Sequence, residues 1–130
     1  MSFLEDLEVL EGVQKAPYLG IIYGAGGTGK SWLASYADTP FFVPIEPGVN
    51  LIPAKKFKQS PQTIDQVFDC FKYLLKNHEL CKTVVIDSLG FIEPMIYADV
   101  METLPAGEGK KATSMSDYGF GRGYAKSMEY

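Results

Sequence analysis

Eight residues with the sequence GAGGTGKS, residues 24–31, constrain this chain more than any other stretch. They fit the spacing G-x-x-x-x-G-K-[ST], in which glycines let backbone N–H groups converge on phosphate oxygens because no Cβ atoms intervene. The apolar run at residues 18–24 predicts a buried parallel strand, and residues 30–38 predict a helix that begins at the loop. This motif requires a strand before it and a helix after it, so we predict a phosphate-binding loop rather than a chance glycine-rich turn.

The residue types in the loop predict how a nucleotide is held. Lys30 is expected to reach the β- and γ-phosphates, and the hydroxyl of Ser31 is expected to ligate Mg²⁺. The positive end of the following helix is expected to face the same anion. The predicted nucleotide-binding residues are Gly24, Ala25, Gly26, Gly27, Thr28, Gly29, Lys30, Ser31 and Trp32.

Composition excludes several other classes of protein. The chain of 130 residues is long enough for one domain, and its 46% hydrophobic and 22% charged content is typical of globular proteins. The net charge of −4 does not indicate a nucleic-acid binder, and one histidine with two cysteines makes a zinc site unfavourable. The acidic N-terminus lacks the basic region of a signal peptide, which predicts a cytoplasmic protein.

Two further apolar runs predict strands at residues 41–46 and 82–88. Pro44 lies inside the first of them and favours an edge position in the sheet, because proline cannot donate to a strand ladder. Strands and helices alternate along the chain, so we predict an α/β fold in which helices cover both faces of a parallel sheet.

Helical periodicity is strongest between Ile64 and Leu75, where apolar residues recur on one face. This helix is predicted to start at Ser60-Pro61, a hydroxyl N-cap followed by proline. Another helix is predicted at residues 93–104. The Gly- and Lys-containing stretch 105–116 predicts a mobile loop.

Two acidic residues are candidates for the chemistry of phosphate transfer. Asp87 ends the third predicted strand, where ligands lie in open α/β sheets, and we predict that it holds Mg²⁺. Glu46 ends the second strand and is the candidate catalytic base, acting with Lys30 if the two strands are neighbours. The alternative for each acid is an ordinary turn residue at the end of a strand.

The order of these motifs resembles that of the RecA-type ATPases. It is closest to the phage RecA-like ATP-binding proteins with an AAA-type domain, some of which act in single-strand annealing recombination. The matching segments are residues 3–9, 24–31, 44–48, 85–89 and 118–124.

The resemblance implies a P-loop NTPase with a RecA-like parallel sheet, truncated before the fourth core strand. Residues 1–130 are then the N-terminal part of a single nucleotide-binding domain. It further implies an ATPase of phage or prophage origin, weak in this chain, that uses ATP and Mg²⁺ in the host cytoplasm. Single-stranded DNA and other copies of the chain are the implied partners.

The basic residues Lys110, Lys111 and Arg122 are the candidate DNA contacts. The resemblance places a DNA loop near residues 104–116, with Tyr118 close enough to stack on unpaired bases. A solvated surface loop is the alternative for the lysines. Arg122 is the single arginine, and either a trans-acting role or a loop-structuring role is consistent with its glycine-rich surroundings.

Two other functions remain open from the sequence. A small-molecule kinase on the same scaffold would use arginines to clamp phosphates, and one arginine argues against it. A nucleotide-binding switch or interaction module without turnover is compatible with the acidic charge. No guanine-reading motif occurs, which favours ATP over GTP.

Overall fold

The computed structural model of the chain describes residue 12 and residues 16–107 and 109–130. The matching segment at residues 3–9 therefore lies outside the described residues. None of the helices in the described ranges is long and apolar enough to cross a membrane.

Three parallel strands form the sheet, in the order β2-β1-β3. They are β1 (Pro40–Pro44), β2 (Lys55–Lys56) and β3 (Thr83–Asp87). The register pairs Phe42 of β1 with Val85 of β3, and parallel pairing places the carboxyl ends of β1 and β3 side by side. Residues at these two strand ends therefore share one edge of the sheet.

The described ranges contain four α-helices: α1 (Lys30–Ser35), which precedes the first strand of the sheet, α2 (Ile64–Lys76), α3 (Ile92–Thr103) and α4 (Arg122–Ser127). Short 3₁₀ helices lie between them. Their bounds are Pro47–Leu51, His78–Leu80, Leu89–Phe91, Met115–Asp117 and Gly119–Gly121.

The core lies on both faces of β1, since its side chains alternate between them. One face contributes Phe41 and Val43 to a cluster with α2 and, at its margin, with α3. The other face contributes Phe42, which packs with the segment after β1 and with Ala34 of α1. Helices thus flank the sheet on both sides, as the predicted α/β class requires. The buried members of the two clusters are Phe41, Val43, Ile45, Ile64, Val67 and Leu74 on the first face and Phe42, Val49 and Ile52 on the second.

The predicted edge position of β1 is wrong, because this strand lies between β2 and β3. Pro44 is tolerated as the last residue of the strand. The amides that follow it, from Ile45 and Glu46, both donate to the carbonyl of Asp87 at 2.8 Å. The two residues of β2, Lys55 and Lys56, pair with Phe41 and Phe42 on the other side of β1.

The strand predicted at residues 18–24 is not part of the sheet. Its residues have no regular assignment, and their side chains are exposed, with Leu19 at 97% of its full area. The prediction relied on local hydrophobicity, whereas a strand also needs a neighbour with which its backbone can pair. In the described residues, β3 pairs with β1 alone.

Helix α2 is confirmed, with two corrections. It begins after Thr63, whose hydroxyl accepts from the amide of Gln66, rather than at Ser60-Pro61. Leu75, predicted on the apolar face, is 76% exposed, whereas Leu74 beside it is buried. Helix α3 lies within one residue of its predicted bounds.

A second packed unit lies between α3 and α4. Tyr118 is buried there, and its hydroxyl donates to the carbonyls of Val100 at 3.1 Å and Leu104 at 2.7 Å. Gly123 of α4 packs against the Tyr118 ring, since a Cβ at Gly123 would lie 2.5 Å from the Cδ2 atom of that ring. Residues 105–107 and 109–114 form no helix or strand, and a 3₁₀ helix begins at Met115.

Candidate functional site

The loop at residues 24–31 has open space beside two of its glycines. Gly27 and Gly29 have φ values of 77° and 87°, which lie in the left-handed region that favours glycine. A Cβ placed on either residue would meet no atom within 4 Å. The glycines are therefore required by the path of the backbone, and they leave space beside it for a bound group.

Lys30 folds back onto its own loop. Its Nζ donates to the carbonyl oxygens of Gly24 at 2.9 Å and Ala25 at 2.8 Å. The Ala25 carbonyl also accepts from the hydroxyl of Thr28 at 2.8 Å. These bonds hold a positive charge at the loop, where it can attract an anion. Nothing in the motif alone predicts that carbonyls of the loop position this ammonium group.

A side-chain hydrogen bond joins the loop to the end of β3. The Ser31 Oγ donates to the Oδ2 atom of Asp87 at 2.5 Å, across 56 residues of sequence. Both side chains are half-buried. A hydroxyl and a carboxylate are hard oxygen donors of the type that Mg²⁺ prefers, and Mg²⁺ usually completes its shell with phosphate oxygens and water. The two predicted metal ligands therefore fit the ion by their chemistry.

Glu46 lies at the same edge of the sheet. Pro44 is paired with Asp87 in the β1–β3 register, and Glu46 follows two residues later. The backbone N–H of Glu46 donates to the Asp87 carbonyl at 2.8 Å, so the two acidic residues have adjacent backbones. The condition for a role of Glu46 beside the loop, that its strand neighbours the Asp87 strand, is thus met.

The predicted DNA-binding region includes Tyr118, which is buried. This residue is only 3% exposed and its hydroxyl is bonded to two carbonyls, so stacking on a base would require the unit to open. Lys110, Lys111 and Arg122 are exposed. The expectation that Tyr118 is available to bases is therefore wrong.

The two lysines of β2, Lys55 and Lys56, stabilise the fold through hydrogen bonds to backbone carbonyls. The Lys56 Nζ donates to the carbonyls of Val49 at 3.1 Å and Ile52 at 2.5 Å, which stabilises the 3₁₀ segment after β1. The Lys55 Nζ donates to the Leu80 carbonyl at 3.1 Å. These two ammonium groups thus provide hydrogen-bond donors for backbone carbonyls of the segments next to β2.

A family model described as an AAA domain matches residues 16–130. The chain belongs to this AAA-domain family. Membership indicates a nucleotide-binding domain of the ATPase type, and it agrees with the α/β sheet and with the glycine-rich loop at residues 24–31. No curated protein and no solved structure matches the chain.

Proposed function

We propose that this AAA domain binds ATP with Mg²⁺ at the 24–31 loop and hydrolyses it. The observation that carries the proposal is the 2.5 Å hydrogen bond between Ser31 and Asp87, because it connects the phosphate-binding loop to the strand end that bears the acidic residues. Glu46, whose backbone N–H donates to the Asp87 carbonyl, is a second acidic residue at the same edge of the sheet. A lysine, a hydroxyl and two carboxylates are the groups that phosphoryl transfer uses.

In this proposal the backbone amides and Lys30 bind the phosphates. The ammonium group of Lys30 exchanges its bonds to the Gly24 and Ala25 carbonyls for bonds to phosphate oxygens. Ser31 and Asp87 would hold Mg²⁺, and the bound ion would neutralise charge on the phosphates.

Glu46 orients a water molecule and accepts its proton as the water oxygen bonds to the γ-phosphorus. The bond from the γ-phosphorus to the bridging oxygen breaks at the same centre. ADP and inorganic phosphate are the products, and the proton leaves Glu46 to solvent.

The test compares three variants with the wild type in nucleotide binding by calorimetry and in phosphate release. Lys30→Ala should weaken ATP binding at least tenfold, since a charge-assisted contact is lost. Asp87→Asn should reduce the dependence of binding on Mg²⁺. Glu46→Gln should keep binding and lower turnover by about 10²–10⁴-fold, the usual contribution of a general base.

Glu79→Gln is the matched control, because Glu79 is an exposed glutamate in the 3₁₀ helix before β3, at the opposite end of that strand. Turnover in Glu46→Gln equal to the wild-type value would remove Glu46 from the mechanism. Tight binding without turnover, even with single-stranded DNA present, would favour the switch or interaction module. Turnover only with an added acceptor would favour a kinase.

Single-stranded DNA, a homo-oligomer, a phage origin and the RecA-like truncated sheet stay predictions from the resemblance. Exposure of Lys110, Lys111 and Arg122 is compatible with contacts to phosphates of DNA, whereas burial of Tyr118 removes one stacking residue.

A further inference from the structure

Two aromatic side chains, Trp32 of α1 and Tyr36 directly after this helix, lie on the side opposite the sheet. Ala34 is the residue of α1 that packs against the Phe42 cluster. With 3.6 residues per turn, Trp32 and Tyr36 each lie roughly 160° around the helix from Ala34. Trp32 is 49% exposed and Tyr36 is 81% exposed. A further strand that joined the sheet in its plane would therefore not cover these two rings.

The aromatic pair begins where the phosphate-binding loop ends. Trp32 directly follows Ser31, and Tyr36 lies four residues after Trp32, so their side chains are neighbours on one helix face. Tyr36 is the C-cap residue of α1, so a rise of about 1.5 Å per residue places it about 7.5 Å along the axis from Ser31. A nucleotide bound by its phosphates at the loop carries its base away from that loop at the far side of the ribose.

We infer that Trp32 and Tyr36 form the stacking platform for the base of the bound nucleotide. The inference rests on the proposed nucleotide site, and it adds Tyr36 as a residue that determines affinity for the base. Flat aromatic rings stack on the π-face that every base has. The platform therefore distinguishes a nucleotide from bare polyphosphate but discriminates little between adenine and guanine.

The experiment measures binding of Mg²⁺-ADP, Mg²⁺-GDP and Mg²⁺-tripolyphosphate by calorimetry. Trp32 is the single tryptophan, so its fluorescence independently reports a base that stacks on it. Tyr36→Ala should weaken ADP binding about tenfold and leave tripolyphosphate binding unchanged. Tyr36→Phe, which keeps the ring, should bind ADP as the wild type does. ADP and GDP should bind with affinities within about threefold of each other.

Leu33→Ala is the matched control, because Leu33 is an exposed apolar residue of the same helix that lies off the aromatic face. Its ADP affinity should match the wild type. Unchanged ADP affinity in Tyr36→Ala would overturn the platform. The same conclusion would follow if this variant altered self-association of the chain but not ADP affinity. Equal wild-type affinity for ADP and tripolyphosphate would also overturn it while preserving the phosphate site. Failure of the wild type to bind either ligand would instead overturn the proposed function.

Discussion

The body formed by the sheet and α2 differs sharply from the segment that carries the glycine-rich loop at residues 24–31. In the body, Val67 and Phe42 are almost wholly buried, whereas Leu19 before the loop is exposed and helix α1 has no buried residue. Burial of apolar side chains therefore stabilises the body, while the loop segment depends on Ala34 and on the Ser31–Asp87 bond. Regions with little buried apolar surface open at low free energy, and ligand-binding elements are often drawn from them.

The two outer strands of the sheet, β2 and β3, also differ from each other. The short edge strand β2 carries two lysines, a common way to protect an edge from further pairing. The five residues of β3 are mainly β-branched, and in the described ranges their pairing is with β1.

The largest expected effect tests where burial stabilises the fold. Leu74→Ala should lower the free energy of unfolding by about 2–5 kcal/mol, because it leaves a cavity in the α2 cluster. Leu19→Ala in the loop segment and Leu75→Ala on the exposed side of α2 should each change it by less than about 0.5 kcal/mol. Urea unfolding provides the measurement. An equal loss in Leu19→Ala would mean that the two regions are packed alike.

The next effect compares glycines that serve different purposes. Gly123→Ala should cost about 1–3 kcal/mol of stability, because the new Cβ would overlap the Tyr118 ring. Its nucleotide affinity should be unchanged, since it lies in the α3–α4 unit. Gly119→Ala is the control, as a Cβ there meets open space. Thermal unfolding and ADP calorimetry check both variants, and a fully stable Gly123→Ala would contradict the close packing.

The smallest effect depends on pH. The amides of Thr113 and Ser114 donate to Asp117 and hold the pKa of its carboxyl below the usual value of 3.8. Because the folded-state pKa is depressed, the stabilising effect is present above pH 3.8 and is lost as pH falls through the lower folded value. As pH falls through that acidic range, the hydrogen-exchange rates of the Thr113 and Ser114 amides should rise relative to those of the same amides in Asp117→Asn. Asp69→Asn, on the exposed surface of α2, is the control, and NMR measures the rates.

Local patterns predicted much of the candidate site. The spacing of residues 24–31 specifies glycines with suitable backbone freedom, and the structure adds open space beside Gly27 and Gly29. The apolar runs placed Asp87 at the end of β3, whereas Glu46, predicted to end its strand, lies two residues after the end of β1 at Pro44. The amphipathic period likewise predicted α2.

The sequence alone therefore specified the local chemistry: a glycine-rich loop whose spacing predicts phosphate binding, its lysine, and acidic residues at or near strand ends. The tertiary structure decided which strands pair and which rings are covered. It placed β1 in the middle despite Pro44, left residues 18–24 unpaired and buried Tyr118. Pairing and burial depend on neighbours distant in sequence, so hydrophobicity and propensity within one short window cannot specify them.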